Sequence, residues 1–496
     1  MATAVVVGSG PNGLAAAVRL AQHGLAVTVL EGSDRVGGGT RTSELTLPGV
    51  LHDDCAAFHP TGVVSPFLAS LDLERHGLRW RWPEIDLAHP LDDGRAGVLD
   101  RDMDRSVASL GKDAVSWRRL FAPLAADFGK IAEEVLQPVL HVPRHPVALA
   151  RFGLDALKPA TWIARRWKDE PARALFTGVA AHAFGRLDTP VSGSVGLMLT
   201  AAGHAAGWPV AEGGTQAIAT ALVRVLEDLG GTVRTSVTVT GLDELGTLLG
   251  EAPDLVLLDT APDAAVGIVG DRLPPRVRRA LGKYRYGPAV HKVDLAIDGD
   301  VPWTNEDCRR AGTVHLGGGA AEIAAAEAAT VRGEMPTRPF VLVGQQYLAD
   351  PSRSAGGVNP LWAYAHVPHG HPGDATDAVL AQIERFAPGF RDRVLAVHTR
   401  TAPQMAAYNP NYVGGDISAG ANTARQIALR PRPALDPYAL GVPGVYLCSS
   451  ATPPGAGVHG MCGANAADSA LSWLTGRRAP TATRRRDAPP PPHDER

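Results

Sequence analysis

The chain has 496 residues, which exceeds the usual size of one hydrophobic core and predicts two or three structural lobes. Its 45% apolar and 20% charged residues are ordinary for a globular protein, and a net charge of −3 argues against a nucleic-acid partner. The four cysteines are scattered without a Cys-x-x-Cys pair, which argues against a disulfide framework, a zinc centre and a dithiol redox centre.

The N-terminal residues and the length of the apolar runs predict the cellular location of the protein. A strand is predicted within the first four residues, so we expect no secretory signal, and no apolar run approaches the roughly 20 residues that span a bilayer. We expect a cytoplasmic protein, with peripheral membrane contact left open.

The first sixty residues read as strand, helix and strand. Residues 4–7 and 25–31 are apolar strands, and residues 14–23 are an alanine-rich helix. The turn between the first strand and the helix, Gly8-Ser-Gly-Pro-Asn-Gly13, has the Gly-x-Gly-x-x-Gly pattern, in which the glycines allow a tight turn, close approach of a pyrophosphate and close helix–strand packing. Glu31 ends the second strand, where a carboxylate accepts ribose hydroxyls. The combination predicts a dinucleotide site, with the phosphates at the helix N-terminus.

A second glycine-rich cluster, Asp34-Arg-Val-Gly-Gly-Gly-Thr-Arg-Thr42, follows directly. Its small residues admit close approach to a pyrophosphate, and Arg41 can donate charge-assisted hydrogen bonds. A surface salt bridge is the alternative for Arg41.

The middle of the chain alternates between helical and strand patterns. Residues 71–189 are predicted mainly helical, with one amphipathic helix spanning residues 121–135. The stretch 162–168 mixes tryptophans with cations; a solvated helix with packed tryptophans is favoured over a membrane interface. A helix at 216–229 and strands at 233–239 and 255–258 are expected to complete the N-terminal sheet.

A third motif, Pro453-Pro-Gly-Ala-Gly-Val-His-Gly-Met-Cys-Gly463, runs into an apolar helix near the C-terminus. Together with the two N-terminal loops it resembles the phytoene-desaturase-like flavoproteins, in the superfamily of monoamine oxidases and GDP dissociation inhibitors. The segment Tyr286-Gly-Pro-Ala-Val-His-Lys-Val-Asp294 and its neighbours look most similar to the group called pyridine nucleotide-disulphide oxidoreductase domain-containing protein 2.

This resemblance implies an extended FAD whose ring lies between two domains. The helix that begins near Met461 would direct its positive end at the flavin. Val237 would contact the adenine, and residues 53–60 would approach the ring face. The cofactor-binding residues expected on these grounds are Gly8, Gly10, Pro11, Asn12, Gly13, Glu31, Gly32, Gly37, Gly38, Gly39, Thr40, Arg41, Ala56, Ala57, Val237, Gly457, His459, Gly460 and Met461.

The predicted fold is α/β, with a Rossmann-type FAD-binding domain discontinuous in sequence, a mixed-sheet substrate domain and a helical subdomain. The FAD-binding parts are residues 1–70, 212–288 and 436–476, and the substrate domain comprises 190–211 and 289–435. Residues 71–189 form the helical substrate or lid region, and residues 477–496 are expected to be a disordered tail.

Histidines are the candidate acids and bases. His59 and His459 lie beside presumed flavin-contacting segments, although structural hydrogen bonds are as plausible there. His366, His369 and His371 could suggest a metal, but the pattern favours His366 lining the substrate space or capping the strand, and no metal is expected. Cys462 is expected to pack as a small hydrophobe rather than to bind the flavin covalently.

The function predicted from the sequence is desaturation of an apolar substrate by hydride transfer to flavin N5. Saturation and isomerisation use the same geometry, and oxygen or a quinone is the expected electron acceptor. A flavin amine oxidase is the second hypothesis, with Phe58, Trp208, Trp362 and Tyr364 as candidate aromatic residues. A non-catalytic partner-binding protein on the same fold is the third.

Overall fold

The computed structural model describes residues 1–478 and is organised by two large β-sheets, of five and seven strands. The described strands are β1 Thr3–Val7, β2 Ala26–Leu30, β3 Thr42–Ser43, β4 His52–Asp53, β5 Trp80–Arg81, β6 Ile85–Pro90, β7 Ala96–Leu99, β8 Val210–Ala211, β9 Thr232–Arg234, β10 Leu255–Leu258, β11 Ala289–Asp298, β12 Ala311–Leu316, β13 Val341–Gly344, β14 Val358–Val367, β15 Val394–Arg400 and β16 Val445–Leu447.

The helices pack on both sheets. Those of the described residues are α1 Pro11–Gln22, α2 Pro60–Val63, α3 Pro66–Ala69, α4 Met103–Ser109, α5 Ala114–Ala126, α6 Phe128–Val135, α7 Pro146–Ala156, α8 Ala160–Ala164, α9 Glu170–Ala181, α10 Gly193–Ala206, α11 Gln216–Asp228, α12 Leu245–Leu249, α13 Pro262–Val269, α14 Pro275–Leu281, α15 Glu306–Arg310, α16 Ala320–Val331, α17 Thr376–Phe386, α18 Ala402–Tyr408, α19 Ala424–Leu429 and α20 Met461–Arg478.

The five-stranded sheet is parallel and has the order β16-β10-β1-β2-β9. Val6 packs with α1, α11 and α20 on one face, whereas Val5 and Val7 pack with α13 and α14 on the other. Because both faces are covered, the central strands are apolar throughout. Its strands come from three distant parts of the chain, so this sheet is discontinuous in sequence.

The seven-stranded sheet is mixed and has the order β15-β11-β14-β13-β12-β6-β7. One face packs against α17, and the other faces helices α5 to α10 and the cavity described below. Residues 71–189 are predicted to be mainly helical, but residues 85–99 within them form strands β6 and β7 at one edge of this sheet. Residues of both sheets line this cavity, so it lies between them.

The helical region differs from its prediction in two further details. The single helix expected over residues 121–135 is two helices, α5 and α6, separated at Asp127. Trp167 is buried as expected, but Trp162 is 60% exposed. Within residues 1–478, no helix combines the length and the apolar character needed to cross a membrane. The last helix continues to Arg478, two residues into the expected tail; the remainder of that tail lies outside the described residues.

Candidate functional site

A single elongated cavity of about 1140 Å³ joins the glycine-rich loops of the five-stranded sheet to the inner face of the seven-stranded sheet. Most of the predicted cofactor residues line it: Gly8, Gly10, Pro11, Asn12, Glu31, Gly32, Gly38, Gly39, Thr40, Arg41, Ala56, Ala57, Val237, Gly457 and His459. The other four, Gly13, Gly37, Gly460 and Met461, are not among the lining residues of the described chain.

The first loop places the N-terminus of α1 at the cavity. Gly10 is the N-cap residue and has no side chain that could cap the helix; a side-chain bond to the first turn comes instead from Asp259, which accepts the N–H of Gly13. The helix dipole is positive at this end, which favours an anion. Asn12 adds a buried Oδ1 atom without a hydrogen-bond partner in the described chain, while its Nδ2 donates to Ser450 Oγ at 3.1 Å. The helix N-terminus fits an anionic group, and the unpaired Oδ1 atom fits a hydrogen-bond donor of the ligand.

Asp259, at the end of β10, lies beside this helix N-terminus. Its Oδ2 accepts the backbone N–H of Gly13 at 2.9 Å, and a Cβ atom on Gly10 would lie 2.6 Å from the same oxygen. Burial raises the pKa of Asp259 to about 7. The sequence motifs gave no indication of this carboxyl group, because it comes from a strand 246 residues away from Gly13.

Glu31 lines the cavity and is held in place by the loops around it. One carboxylate oxygen accepts the backbone N–H of Ser9 at 2.8 Å, and the other accepts that of Ser33 at 2.9 Å. Val237 donates its N–H to the carbonyl oxygen of Glu31 at 2.8 Å and lines the cavity beside it. The expected carboxylate and the expected adenine contact are thus adjacent.

The second glycine-rich loop lies on the first. A Cβ on Gly38 would be 3.1 Å from the Cα atom of Gly10, so the close approach of the two loops requires glycine there. Arg41 is 7% exposed and donates to the carbonyl oxygen of Arg35 at 2.8 Å, with Glu31 at 3.5 Å. Its location at the cavity rules out the surface salt bridge.

The C-terminal segment covers the other side of the cavity. His459 Nδ1 accepts the backbone N–H of Met461 at 3.0 Å at the start of α20, and Ser65 Oγ donates to the carbonyl oxygen of His459 at 2.6 Å. Burial lowers the pKa of His459 to about 4, so the ring is neutral. Cys462 Sγ donates to the carbonyl oxygen of Gly455 at 3.2 Å and is not a lining residue of the described chain.

A buried ion pair lies behind the wall formed by Cys55 and Trp362. Lys292 on β11 pairs with Asp294, and its ammonium lies 5.1 Å from the centroid of the Trp362 ring. Burial lowers the pKa of Lys292. Trp362 Nε1 donates to the carbonyl oxygen of Cys55 at 3.1 Å, which joins β14 to the segment that carries Ala56 and Ala57.

Two of the three predicted catalytic histidines are not cavity-lining residues. His59 Nε2 shares a hydrogen bond of 3.1 Å with Thr215 Oγ1, and burial lowers its pKa to about 4. His366 is fully buried, with its Nδ1 atom 2.8 Å from Glu327 Oε1. His369 instead bonds the carbonyl oxygen of Gly287. Only His459 among the three lines the cavity, because the other two side chains are directed into the packing between elements.

The sequence prediction missed His182, which follows α9 and lines the cavity. Its Nε2 lies 3.1 Å from Nε2 of the buried His315, and Trp208 lies edge-on to it with the ring centroids 5.4 Å apart. Burial lowers the pKa of His182 to about 3, so it is neutral. Gly178 makes room for this group, since a Cβ there would lie 3.2 Å from His315 Nδ1. No local pattern marked His182, because β12 supplies its partner from a distant part of the chain.

Comparisons with known proteins agree with this geometry. A family model described as an NAD(P)-binding Rossmann-like domain matches residues 6–71. The chain is 25% identical over 550 residues to pyridine nucleotide-disulfide oxidoreductase domain-containing protein 2 of Mus musculus, covering 94% of this chain and 92% of that protein. It is 30% identical over 262 residues to hydroxyneurosporene desaturase of Cereibacter sphaeroides, covering 46% of this chain and 48% of that protein.

A solved structure of putrescine oxidase bound to putrescine has a similar fold. The two chains share a TM-score of 0.58 and 19% identity, over 96% of this chain and 99% of the oxidase. The predicted α/β fold and the resemblance to this superfamily are therefore confirmed. The chain is an FAD-dependent oxidoreductase, and it is similar in sequence to a desaturase and in fold to an amine oxidase.

Proposed function

We propose that the protein desaturates an apolar substrate by removing a hydride and a proton from adjacent carbon atoms. The observation that carries this proposal is the character of the cavity beyond Ala57. Apolar side chains from the helical region, the seven-stranded sheet and the loop after α18 dominate its wall: Val135, Phe152, Val195, Met198, Leu342 and Ile417. Such a wall favours a hydrocarbon substrate.

The bound FAD would supply a hydride acceptor at N5. We propose that the glycine loops and Glu31 hold its ADP half, while Ala56, Ala57 and the segment 456–459 hold its ring. In this arrangement the five-stranded sheet serves as the cofactor domain and the seven-stranded sheet with its helices as the substrate domain. The chain then contributes chiefly by orienting the substrate and excluding water.

His182 is the polar side chain that we assign to the substrate. It is neutral, and one ring nitrogen is already engaged with His315 at 3.1 Å. Its other nitrogen can form one hydrogen bond with a substrate or with a water molecule that takes up the released proton. Saturation and isomerisation of the substrate would use the same groups. For desaturation, the proposed electron acceptor is oxygen or a quinone.

Oxidation of an amine is the second candidate, because all four aromatic residues identified in the sequence line the cavity: Phe58, Trp208, Trp362 and Tyr364. A substrate cation would bind over the face of such rings. The Trp362 and Tyr364 rings are, however, at 82° to each other, and the Lys292 ammonium already lies near Trp362. A second cation would be repelled there, so we place this function second.

The setting that we propose is cytoplasmic. All four cysteines are free and buried in the structure, which agrees with a reducing compartment. We also propose peripheral membrane contact, through the surface described in the next subsection.

Anaerobic mixing of the FAD-loaded protein with candidate substrates tests the proposal. Acyclic polyenes and terpenoid hydrocarbons in detergent form one set, and putrescine and cyclohexylamine form the other. Bleaching of the oxidised flavin absorbance by a hydrocarbon, with a product that has two hydrogen atoms fewer, is the expected result. Bleaching by amines alone would establish the second candidate in its place.

A further inference from the structure

Exposed apolar side chains are concentrated on one part of the helical region. Of the fourteen large apolar side chains that are exposed in the described chain, seven lie within residues 139–162. Val142 is 90% exposed, and Val147 and Leu154 are each 73% exposed. Isolated exposed apolar residues are normal, but a concentration of this kind indicates an interaction surface. The seven residues, which we call the apolar patch, are Val139, Leu140, Val142, Val147, Leu154, Leu157 and Trp162.

Helix α7 shows why this patch faces outward. Ala148 and Phe152 are buried in the core, and Leu149, Phe152 and Gly153 line the cavity. Val147 and Leu154 are seven residues apart, so they lie on the same remaining face of the helix, two turns from each other. This face contributes neither to the core nor to the cavity.

The patch also borders the cavity. Val139 and Leu157 both line the cavity, and they are 56% and 67% exposed. Residues that both line the cavity and are exposed to solvent lie at the rim of the cavity. A molecule that passes this rim therefore crosses from the apolar patch directly into the apolar half of the cavity.

Basic residues accompany the patch. Residues 139–168 contain one acidic residue, Asp155, which is paired with Lys158 and Arg166. Arg144, Arg165 and Lys168 are exposed and have no ion-pair partner among the described residues. The chain as a whole has a net charge of −3, whereas this segment carries a local excess of positive charge. The six basic residues of the segment are Arg144, Arg151, Lys158, Arg165, Arg166 and Lys168.

A buried carboxylate holds the loop before α7 in place. Glu134 is 2% exposed; one of its oxygens accepts the backbone N–H of His145 at 2.6 Å, and the other lies 2.6 Å from His141 Nε2. Val139, Leu140 and Val142 lie on this loop. Because Glu134 holds this loop by hydrogen bonds, the loop conformation that exposes these three side chains is fixed.

We propose that the apolar patch docks on an anionic lipid bilayer and that the cavity rim at Val139 and Leu157 opens toward the acyl chains. Apolar side chains with surrounding lysines and arginines are the combination that binds such interfaces. An apolar substrate would then pass between the bilayer and the cavity without crossing water. The passage of substrate rests on the proposed function, whereas the docking itself does not.

Co-sedimentation of the FAD-loaded protein with vesicles tests the docking. The vesicles consist of phosphatidylcholine alone or of phosphatidylcholine with phosphatidylglycerol. The test variant is Val142→Asp with Leu154→Asp, and the matched control is Leu395→Asp with Val397→Asp, which alters two exposed apolar residues on β15. We expect the wild-type protein and the control to bind the anionic vesicles, and the vesicle affinity of the test variant to fall at least about tenfold.

Arg144→Glu with Arg165→Glu should reduce binding to the anionic vesicles only. Equal sedimentation of the wild-type protein and the test variant would overturn the proposal, as would a wild-type protein that binds neither kind of vesicle. A wild-type dimer in size-exclusion chromatography that the test variant abolishes would assign the patch to a second copy of the chain instead. Vesicle binding without flavin reduction by any hydrocarbon would refute the proposed function and leave the docking intact.

Discussion

Gly463, in the first turn of α20, lies so close to the backbone carbonyl oxygen of Asn12 that no methyl group fits between them. The two residues belong to the motifs at opposite ends of the chain. Their contact brings the start of α20 against the start of α1, next to the cavity that Gly10 and His459 line. The two motifs therefore form one structural unit.

Replacing Gly463 by alanine should disrupt this unit. The added Cβ would meet the carbonyl oxygen of Asn12, a backbone atom that cannot move without displacing the dinucleotide loop. We expect a loss of about 1–3 kcal/mol in the free energy of unfolding and a weaker affinity for FAD. Gly476→Ala on the same helix is the control, because a Cβ there has no neighbour within 4 Å. Equal FAD affinity of the two variants in fluorescence titrations would contradict this packing argument.

Asp259 should make FAD binding dependent on pH. Its pKa is raised from 3.8 to about 7, so the native carboxyl group loses its proton as pH rises through 7, beside the helix N-terminus that we assign to the pyrophosphate. The native state holds this proton more tightly than the unfolded state, so the stability contribution falls as pH rises from about 4 to 7. The affinity for FAD should fall over the upper part of this range.

Asp259→Asn should retain the acceptor for the N–H of Gly13 and remove the titration. Dissociation constants for FAD at about pH 6 and about pH 8 provide the measurement. The wild-type protein should bind FAD more weakly at the higher pH, and the variant should bind it equally at both. The same pH dependence in both proteins would exclude Asp259 as its source.

His182→Phe tests the assignment of a substrate contact. The variant removes the polar edge from the cavity wall and leaves Nε2 of the buried His315 without its partner, at a cost of about 1–3 kcal/mol in stability. Substrate-driven flavin reduction should slow at least about tenfold, whereas FAD affinity should stay within about twofold of the wild-type value. Because the pKa of His182 is about 3, the wild-type reduction rate should show no titration of this residue near neutral pH. Unchanged reduction kinetics in the variant would remove His182 from the mechanism.

Lys292→Met should destabilise the protein through Asp294. Both side chains are buried, and the change would leave the carboxylate without its ammonium partner. Removal of one member of a buried pair costs about 3–5 kcal/mol. The double variant Lys292→Met with Asp294→Leu should recover much of this loss in denaturant unfolding, because it leaves no isolated charge. If Lys292→Met alone were as stable as the wild-type protein, the ion pair would contribute little to the free energy of unfolding.

The sequence was most informative for short segments whose structure depends on residues only a few positions apart. The turn that contains Gly8 and Gly10, the acid Glu31 and the loop that contains His459 could be identified because local backbone needs and local spacing define them. The prediction was wrong for residues 85–99, whose strands form only because β12 provides a neighbour for β6. It was also wrong for the continuous helix over residues 121–135.

The sequence by itself thus determined the fold class, the cofactor and most of the predicted residues that line the cavity, since these depend on glycine conformation and helix termini within a few residues. The tertiary structure decided which side chains reach the cavity. It turned His59 and His366 away from the cavity, brought His182 together with His315, and placed Asp259 beside Gly13. Contacts between residues more than a hundred positions apart leave no local pattern, because they exist only after the sheets and helices have packed.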